Sequence, residues 1–249
     1  MRVSQTHRPL PHLLLIASVL IALLQVGPTA SAAPARCLGK RATIVGSAAS
    51  ERIEGTNGDD VIAAREGSDY VLGKGGHDLI CGGTGDDHLE AGAGHDRLRG
   101  NGGTDLFVGG RGTRKLIGDS GNDTFFPSGG VGGRIAGGRG RDWLAFTDRA
   151  CPGGIRVDLA DGRVGYPGCR RGWSRGRWRV RGIERVDGSQ NDDVFIGSRE
   201  PNQLLGQGGS DKLLGKARDD LVDGGLGWDR GRGGTGADRC ISLEVQRSC

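Results

Sequence analysis

Aspartate returns at steps of nine residues along two stretches of this chain. The first holds Asp60, Asp69, Asp78, Asp87, Asp96, Asp105 and Asp123, with Asp142 beyond them, and the second holds Asp193, Asp211, Asp220, Asp229 and Asp238. Each follows a glycine-rich stretch, as in "GGTGDDHLE" (82–90), and precedes a short apolar run. Carboxylates in such numbers could do two kinds of chemistry. A pair facing each other across a cleft can cleave glycosidic bonds. A column of them, joined by backbone carbonyls that glycine leaves bare, offers an all-oxygen shell for a hard cation. The spacing decides between them, and the spacing depends on what the other seven residues of each unit do.

Cut in nines from Gly46, the chain gives "GSAASERIE", "GTNGDDVIA", "AREGSDYVL", "GKGGHDLIC", "GGTGDDHLE", "AGAGHDRLR", "GNGGTDLFV", "GGRGTRKLI" and "GDSGNDTFF". "GGRGRDWLA" follows at 137, and a second array opens at 188 with "GSQNDDVFI", "GSREPNQLL", "GQGGSDKLL", "GKARDDLVD", "GGLGWDRGR" and "GGTGADRCI". Position 6 is acidic except at Arg114 and Asn202, and position 8 is apolar except at Gly231. Glycine at positions 1, 2 and 4 permits positive φ and close backbone approach, so the first six residues form a turn. The last three form a short strand whose middle side chain points inward. One buried side chain cannot offset the entropy of nine ordered residues, so the units must stack and share a narrow core.

Two units make one coil with a strand on each side, which brings loops eighteen residues apart onto the same edge. Asp69, Asp87 and Asp105 then form one carboxylate ladder and Asp60, Asp78 and Asp96 the other, with rungs about 4.8 Å apart. Like charges at that spacing push the coils apart unless a dication sits between them. Calcium suits a wide cage of carboxylates and carbonyls, whereas magnesium demands tight octahedral geometry and keeps its water. The thirteen aspartates are therefore expected to be ligands of several Ca2+ ions. A solenoid edge offers no cleft, no HExxH, GxSxG or P-loop is present, and the non-repeat insert is too short for a catalytic domain, so no enzyme is expected.

The units resemble GGxGxDxUx, the nonapeptide of RTX (hemolysin-type) calcium-binding proteins. The resemblance covers roughly residues 46–145 and 188–241. It implies an all-β, right-handed parallel β-roll, with the position-6 aspartates and glycine-loop carbonyls as calcium ligands. The chain looks like the small stand-alone secreted members, so toxin activity is not carried over. Arg114 replaces a ligand, and its guanidinium is expected near Asp96 as a built-in cation. Asn202 weakens another site.

The remaining segments complete the plan. Residues 1–32 carry Arg2, His7 and Arg8, the apolar run "LLLIASVLIALL" and then "ASAA", the pattern of a secretory signal peptide cleaved near Ala32 or Ala33. Export would put all six cysteines in an oxidising medium, with Cys37–Cys81, Cys151–Cys169 and Cys240–Cys249 the pairings that proximity suggests. Residues 33–45 and 242–249 are expected to cap the ends. Between the arrays (46–145 and 188–241) lies an insert, 146–187. Within it "IRVDLADGRVGY" reads as a hairpin about Asp161-Gly162, and "RGWSRGRWRVRGIERV" carries six arginines with Trp173 and Trp178. That segment is either a solvated, disulfide-braced bridge or a surface for a polyanion such as glycan or nucleic acid. His77 and His95 share position 5 on one edge, a solvent-facing place. The chain has 50 glycines, 4% aromatics and a net charge of +4, a composition that fits a monomeric repeat fold rather than an ordinary globular core.

Overall fold

The inward position-8 side chains form a single file, and the rest of the architecture follows from keeping that file continuous. The computed structural model describes residues 33–127, 132–146, 153–167 and 178–249. Among them two long sheets face each other, one of ten strands and one of thirteen, with a small two-stranded piece at the N-terminal side. The ten-stranded sheet is parallel throughout, running from Arg52–Glu54 to Arg239–Ile241. Registers step by eighteen residues, as in Tyr70 opposite His88 and Leu79 opposite Arg97, so two nonapeptides make one coil. The step lengthens to nineteen between Lys115 and Arg134 and between Thr124 and Trp143. This is a parallel β-roll.

Ile62, Val71, Ile80, Leu89, Leu98, Phe107, Leu116 and Phe125 are fully buried, one per unit. The rings of Phe107 and Phe125 stack 4.7 Å apart, so successive coils touch through their largest side chains. The one unit with glycine at position 8 is repaired from outside the array. The methyl groups of Leu243, from the C-terminal segment, sit where a side chain at Gly231 would point.

The two edges are not equivalent, which differs from the uniform three-residue strands expected from the sequence. Strands of the ten-stranded sheet do span three residues. Seven in the other sheet span six, among them Val61–Glu66, Leu79–Thr84 and Arg97–Gly102. They continue into the first three residues of the next unit, pairing Arg65 with Gly83 and Glu66 with Thr84. Here the turn begins with a left-handed residue inside the ladder, such as Arg65 (φ 90°) or Asn101 (φ 80°), so the chain bends without losing its partner strand.

The insert joins the roll. Arg156–Asp158 and Arg163–Gly165 form the expected antiparallel hairpin, with Val157 opposite Val164. Trp178–Arg181 pairs with that hairpin on one side and with Arg134–Arg139 on the other, so the thirteen-stranded sheet runs through the insert without a break. Trp178 is buried in the common core, so it takes no part in the polyanion surface that is one of the two readings of this segment. Trp173, Arg175, Arg177 and the Cys151–Cys169 pairing lie outside the described residues. Arg36–Cys37 and Lys40–Arg41 make the two-stranded piece, and Cys37 is bonded to Cys81. Cys240 is bonded to Cys249 at the other end.

Candidate metal centre

Both columns of position-6 carboxylates exist, and they face inward rather than into solvent. Asp69, Asp78, Asp87, Asp96, Asp105, Asp123, Asp142, Asp193, Asp211, Asp220 and Asp229 are all nearly inaccessible, Asp60 is buried, and Asp238 at the last coil is half-buried. One oxygen of each rung has a clear task. Oδ1 of Asp87 accepts the backbone N–H of Asp69 at 2.9 Å, and Oδ1 of Asp105 and of Asp123 accept those of Asp87 and Asp105 at the same distance. The second edge repeats this from Asp60 to Asp78 to Asp96, and the second array from Asp193 to Asp211 to Asp229. Each rung thus spells out the register of its neighbour.

The other oxygen has none. Oδ2 of Asp69, Asp78, Asp87, Asp96, Asp105, Asp123, Asp142, Asp211, Asp220 and Asp229 is buried without a hydrogen-bond partner. A buried unpaired carboxylate oxygen costs on the order of 1–3 kcal/mol or more, so ten in two files call for an explanation. Glycine at position 1 shows what the space around them contains. A methyl group added at Gly118 would run into Oδ2 of Asp123 and lie 2.6 Å from the carbonyl oxygen of Gly137. At Gly206 it would meet Oδ2 of Asp211 and the carbonyl oxygen of Gly224. Carboxylate and carbonyl oxygens from successive coils therefore converge on small volumes that only glycine leaves open. The donors are all hard oxygens, the set that calcium prefers. Among the described residues no group of three His, Cys, Asp or Glu side chains could hold a metal, so an ion here needs backbone oxygen as well.

Burial shapes the acidity of these groups. Desolvation, opposed by the N–H bond from the preceding rung, pushes Asp78, Asp87, Asp123 and Asp220 up to about 6. The same cause takes Asp105, Asp142 and Asp211 to about 7. Asp69 and Asp96 are raised as well, again mainly by burial. Neighbouring carboxylates add to the shift at most of these rungs, for example Asp123 and Asp87 on Asp105.

Two details differ from the sequence expectation, at Arg114 and at two carboxylates outside the repeat, whereas His77 and His95 stand as expected. Arg114 does not stand in as a cation for Asp96. Its guanidinium lies 3.2 Å from Nε2 of His95, and Oδ2 of Asp96 keeps no partner. His77 and His95 are exposed and stacked at 4.8 Å, with Nδ1 of His77 accepting the His95 backbone N–H, so that nitrogen is already committed. Two carboxylates were also missed. Oε2 of Glu184 accepts the Asp142 N–H, and Oε2 of Glu244 accepts the Asp229 N–H, which makes both of them rungs. Their signal was present as Glu184-Arg185-Val186 and Glu244-Val245-Gln246, an acid two or one residues before an apolar one, outside the nine-residue frame.

A family model described as the RTX calcium-binding nonapeptide repeat matches residues 45–80, 82–114, 181–213 and 205–240, together more than half of the chain. No curated protein matches it.

Proposed function

The chain belongs to the RTX calcium-binding nonapeptide repeat family, and we propose that it is a secreted structural module whose β-roll becomes rigid by taking up several calcium ions between its turns. The observation that carries this is the double file of buried Oδ2 atoms without partners. Asp69, Asp87, Asp105, Asp123 and Asp142 would hold ions on one edge and Asp78, Asp96, Asp211 and Asp229 on the other, with Asp220 extending the first. Position-1 carbonyls would supply the remaining oxygens. Asp238, half-buried at the last coil, is the weakest candidate, and Asp60 and Asp193 lack a bare Oδ2, which accepts the N–H of Thr56 and of Ser189. Bound calcium neutralises the files, and because the site exists only in the stacked chain, binding free energy is folding free energy. RTX rolls are structural, calcium-binding folds rather than typically enzymatic ones, and the two disulfides among the described residues are consistent with an extracellular protein. Among the described residues no helix is long and apolar enough to cross a membrane. Calorimetric titration tests the proposal. Calcium should bind at several sites per chain and magnesium far more weakly, and Asp105→Asn should remove one or two calcium ions while the disulfides stay intact. Equal heats for the two metals, or a stoichiometry untouched by D105N, would overturn it.

A second use of the same scaffold is favoured by one observation. Arg97, Lys115, Arg134, Arg179 and Arg163 lie opposite one another on successive strands of the thirteen-stranded sheet. All but Lys115 are exposed. Like charges in direct register are unfavourable by themselves, so this stripe fits an acidic chain such as a glycan, using the sheet face rather than the aromatic segment. Retention on immobilised heparin at physiological salt, abolished by R134Q with R179Q, would support it. Passage straight through the column would remove it.

A further inference from the structure

Two kinds of turn account for fifteen of the sixteen repeat units, and the residue at position 2 separates them. In eleven units position 2 lies in the left-handed region, whatever its type: Arg65, Lys74, Gly83, Gly92, Asn101, Asp119, and in the second array Gln207, Lys216 and Gly225 are among them. Position 4 of the same units is left-handed too, as at Gly85 (φ 116°), Gly121 (φ 126°) and even Arg218 (φ 67°). These are the turns whose aspartates have a bare Oδ2, save the half-buried last one.

Four units have neither position left-handed, and each has serine or threonine at position 2: Ser47, Thr56, Ser189 and Ser198; the unit opening at Gly109, which has Arg114 in place of the acid, is mixed, with Gly112 left-handed and Gly110 not. In the four, the position-2 N–H turns toward the position-6 side chain instead. Thr56 donates to Oδ2 of Asp60 at 2.7 Å, Ser189 to Oδ2 of Asp193 at 2.7 Å, Ser198 to Oδ1 of Asn202 at 2.6 Å, and Ser47 to Oε1 of Glu51 at 2.5 Å. In three of them the hydroxyl donates to the same carboxylate or amide as well. In all four it accepts the position-4 N–H, at 3.0 Å from Gly58 and 3.1 Å from Ala49, Asn191 and Glu200. Gly58 is decisive. Glycine is free to adopt positive φ, yet here it does not, so the hydroxyl rather than the loss of glycine sets the turn.

We infer that these four turns are closed by their own side chains and take no ion, so that each array begins with one complete coil that stands without calcium. The four are not scattered. Ser47 and Thr56 belong to the first two units of the first array, and Ser189 and Ser198 to the first two of the second, which is one turn on each edge in both cases. In a linear repeat, stability is a sum of unit and neighbour terms, and the costly event is ordering the first unit. A coil whose position-6 oxygen already accepts local donors, the N–H in all four turns and the hydroxyl in three, removes that cost from the calcium-dependent part. The next coils then bind their ions against a surface that is already formed. Asn202 fits the same plan through its oxygen, which accepts from Ser198, and its backbone N–H, which donates to Asp220; its Nδ2, a donor that no cation could use, is buried without a partner.

The inference rests on the calcium proposal for its contrast, and the test separates the two. Calcium stoichiometry of the full disulfide-bonded chain is measured by equilibrium dialysis for the wild type, Ser189→Gly and Gln207→Ser. Glycine at 189 frees Oδ2 of Asp193 and should add one ion; serine at 207 should close the turn of Asp211 and remove one. In parallel, amide hydrogen exchange is followed in chelator. The N–H groups of Thr56, Ser189 and Ser198 should exchange at least about tenfold more slowly than those of Gly83, Gly92 and Gln207. An unchanged ion count in S189G and Q207S, or equal exchange at the two classes of turn, overturns the inference. A wild type that binds no calcium but keeps the exchange contrast would sink the calcium proposal and leave the self-closed coils standing.

Discussion

Stripping calcium from the intact, disulfide-bonded chain should lower its melting temperature by roughly 20 °C or more. An ion held only by the folded state at a hundred times its dissociation constant contributes about 2.7 kcal/mol. In a chain of this size each kcal/mol moves the midpoint by roughly 2–4 °C, so one site is worth roughly 5–11 °C and a few sites exceed 20 °C. Extracellular calcium modules have dissociation constants of about 10⁻⁴ to 10⁻³ M, so a hundredfold excess corresponds to about 10 to 100 mM calcium. Scanning calorimetry in calcium, in magnesium and in chelator checks this. Magnesium should recover only a small part of the shift, because the cage of carboxylates and glycine carbonyls is too open for its tight geometry. A midpoint that is the same in calcium and in chelator would mean that apolar stacking of residues such as Phe107 and Phe125, together with Cys37–Cys81 and Cys240–Cys249, holds the roll unaided.

Acidification should stabilise the metal-free roll and destabilise the loaded one. The folded, ion-free chain keeps protons on Asp78, Asp87, Asp123 and Asp220 up to about 6, and on Asp105, Asp142 and Asp211 up to about 7. The unfolded chain releases them near 3.8. The folded state therefore binds more protons, and the contribution of these carboxyls is fully present below about pH 4 and is lost as pH climbs through 6 to 7. Each extra proton bound by the folded state changes stability by about 1.36 kcal/mol per pH unit while it titrates. Several rungs share the window, so the metal-free midpoint should fall by about 10 °C or more from pH 5 to pH 8. With calcium saturating, protons compete for the same oxygens and the slope reverses. The exposed pairs of Arg52 and Lys74 with Glu54 oppose the trend only slightly, because surface ion pairs contribute little. Melting curves at pH 5 and pH 8, with calcium and with chelator, check the crossing. A metal-free protein that melts higher at pH 8 than at pH 5 would refute the argument.

A nine-residue repeat with an acid at position 6 and an apolar residue at position 8 is a local, periodic signal, and each feature has one physical job. Glycine marks the turn, the apolar residue marks the inward face, and the interval of two units fixes which loops stack. From these alone the parallel roll, the single-file core, both carboxylate files and the all-oxygen character of the candidate sites could be derived, as could the hairpin about Asp161-Gly162. Periodicity failed where the chain leaves the frame. Glu184 and Glu244 act as rungs although no nonapeptide contains them, because the backbone register, not the sequence interval, decides what lies beside Asp142 and Asp229. Arg114 turns to His95 for a related reason: a long side chain chooses among neighbours that only stacking brings near.

Other matters were settled by tertiary contact alone. Leu243 fills the place left by Gly231, a match between residues in different segments that no local pattern encodes. Trp178 lies in the core because its strand completes the thirteen-stranded sheet; in the sequence it stands among arginines and looks exposed. The two classes of turn show the boundary most sharply. Serine or threonine at position 2 is visible in the sequence, but its effect is to spend an N–H on the position-6 side chain. Whether that carboxylate is satisfied or bare depends on which donors the folded loop turns toward it. Sequence determined the repeat, because composition and spacing act over one or two units. The tertiary structure decided which carboxylates are left buried and unpaired, because burial and hydrogen bonding are properties of the stack and not of the unit.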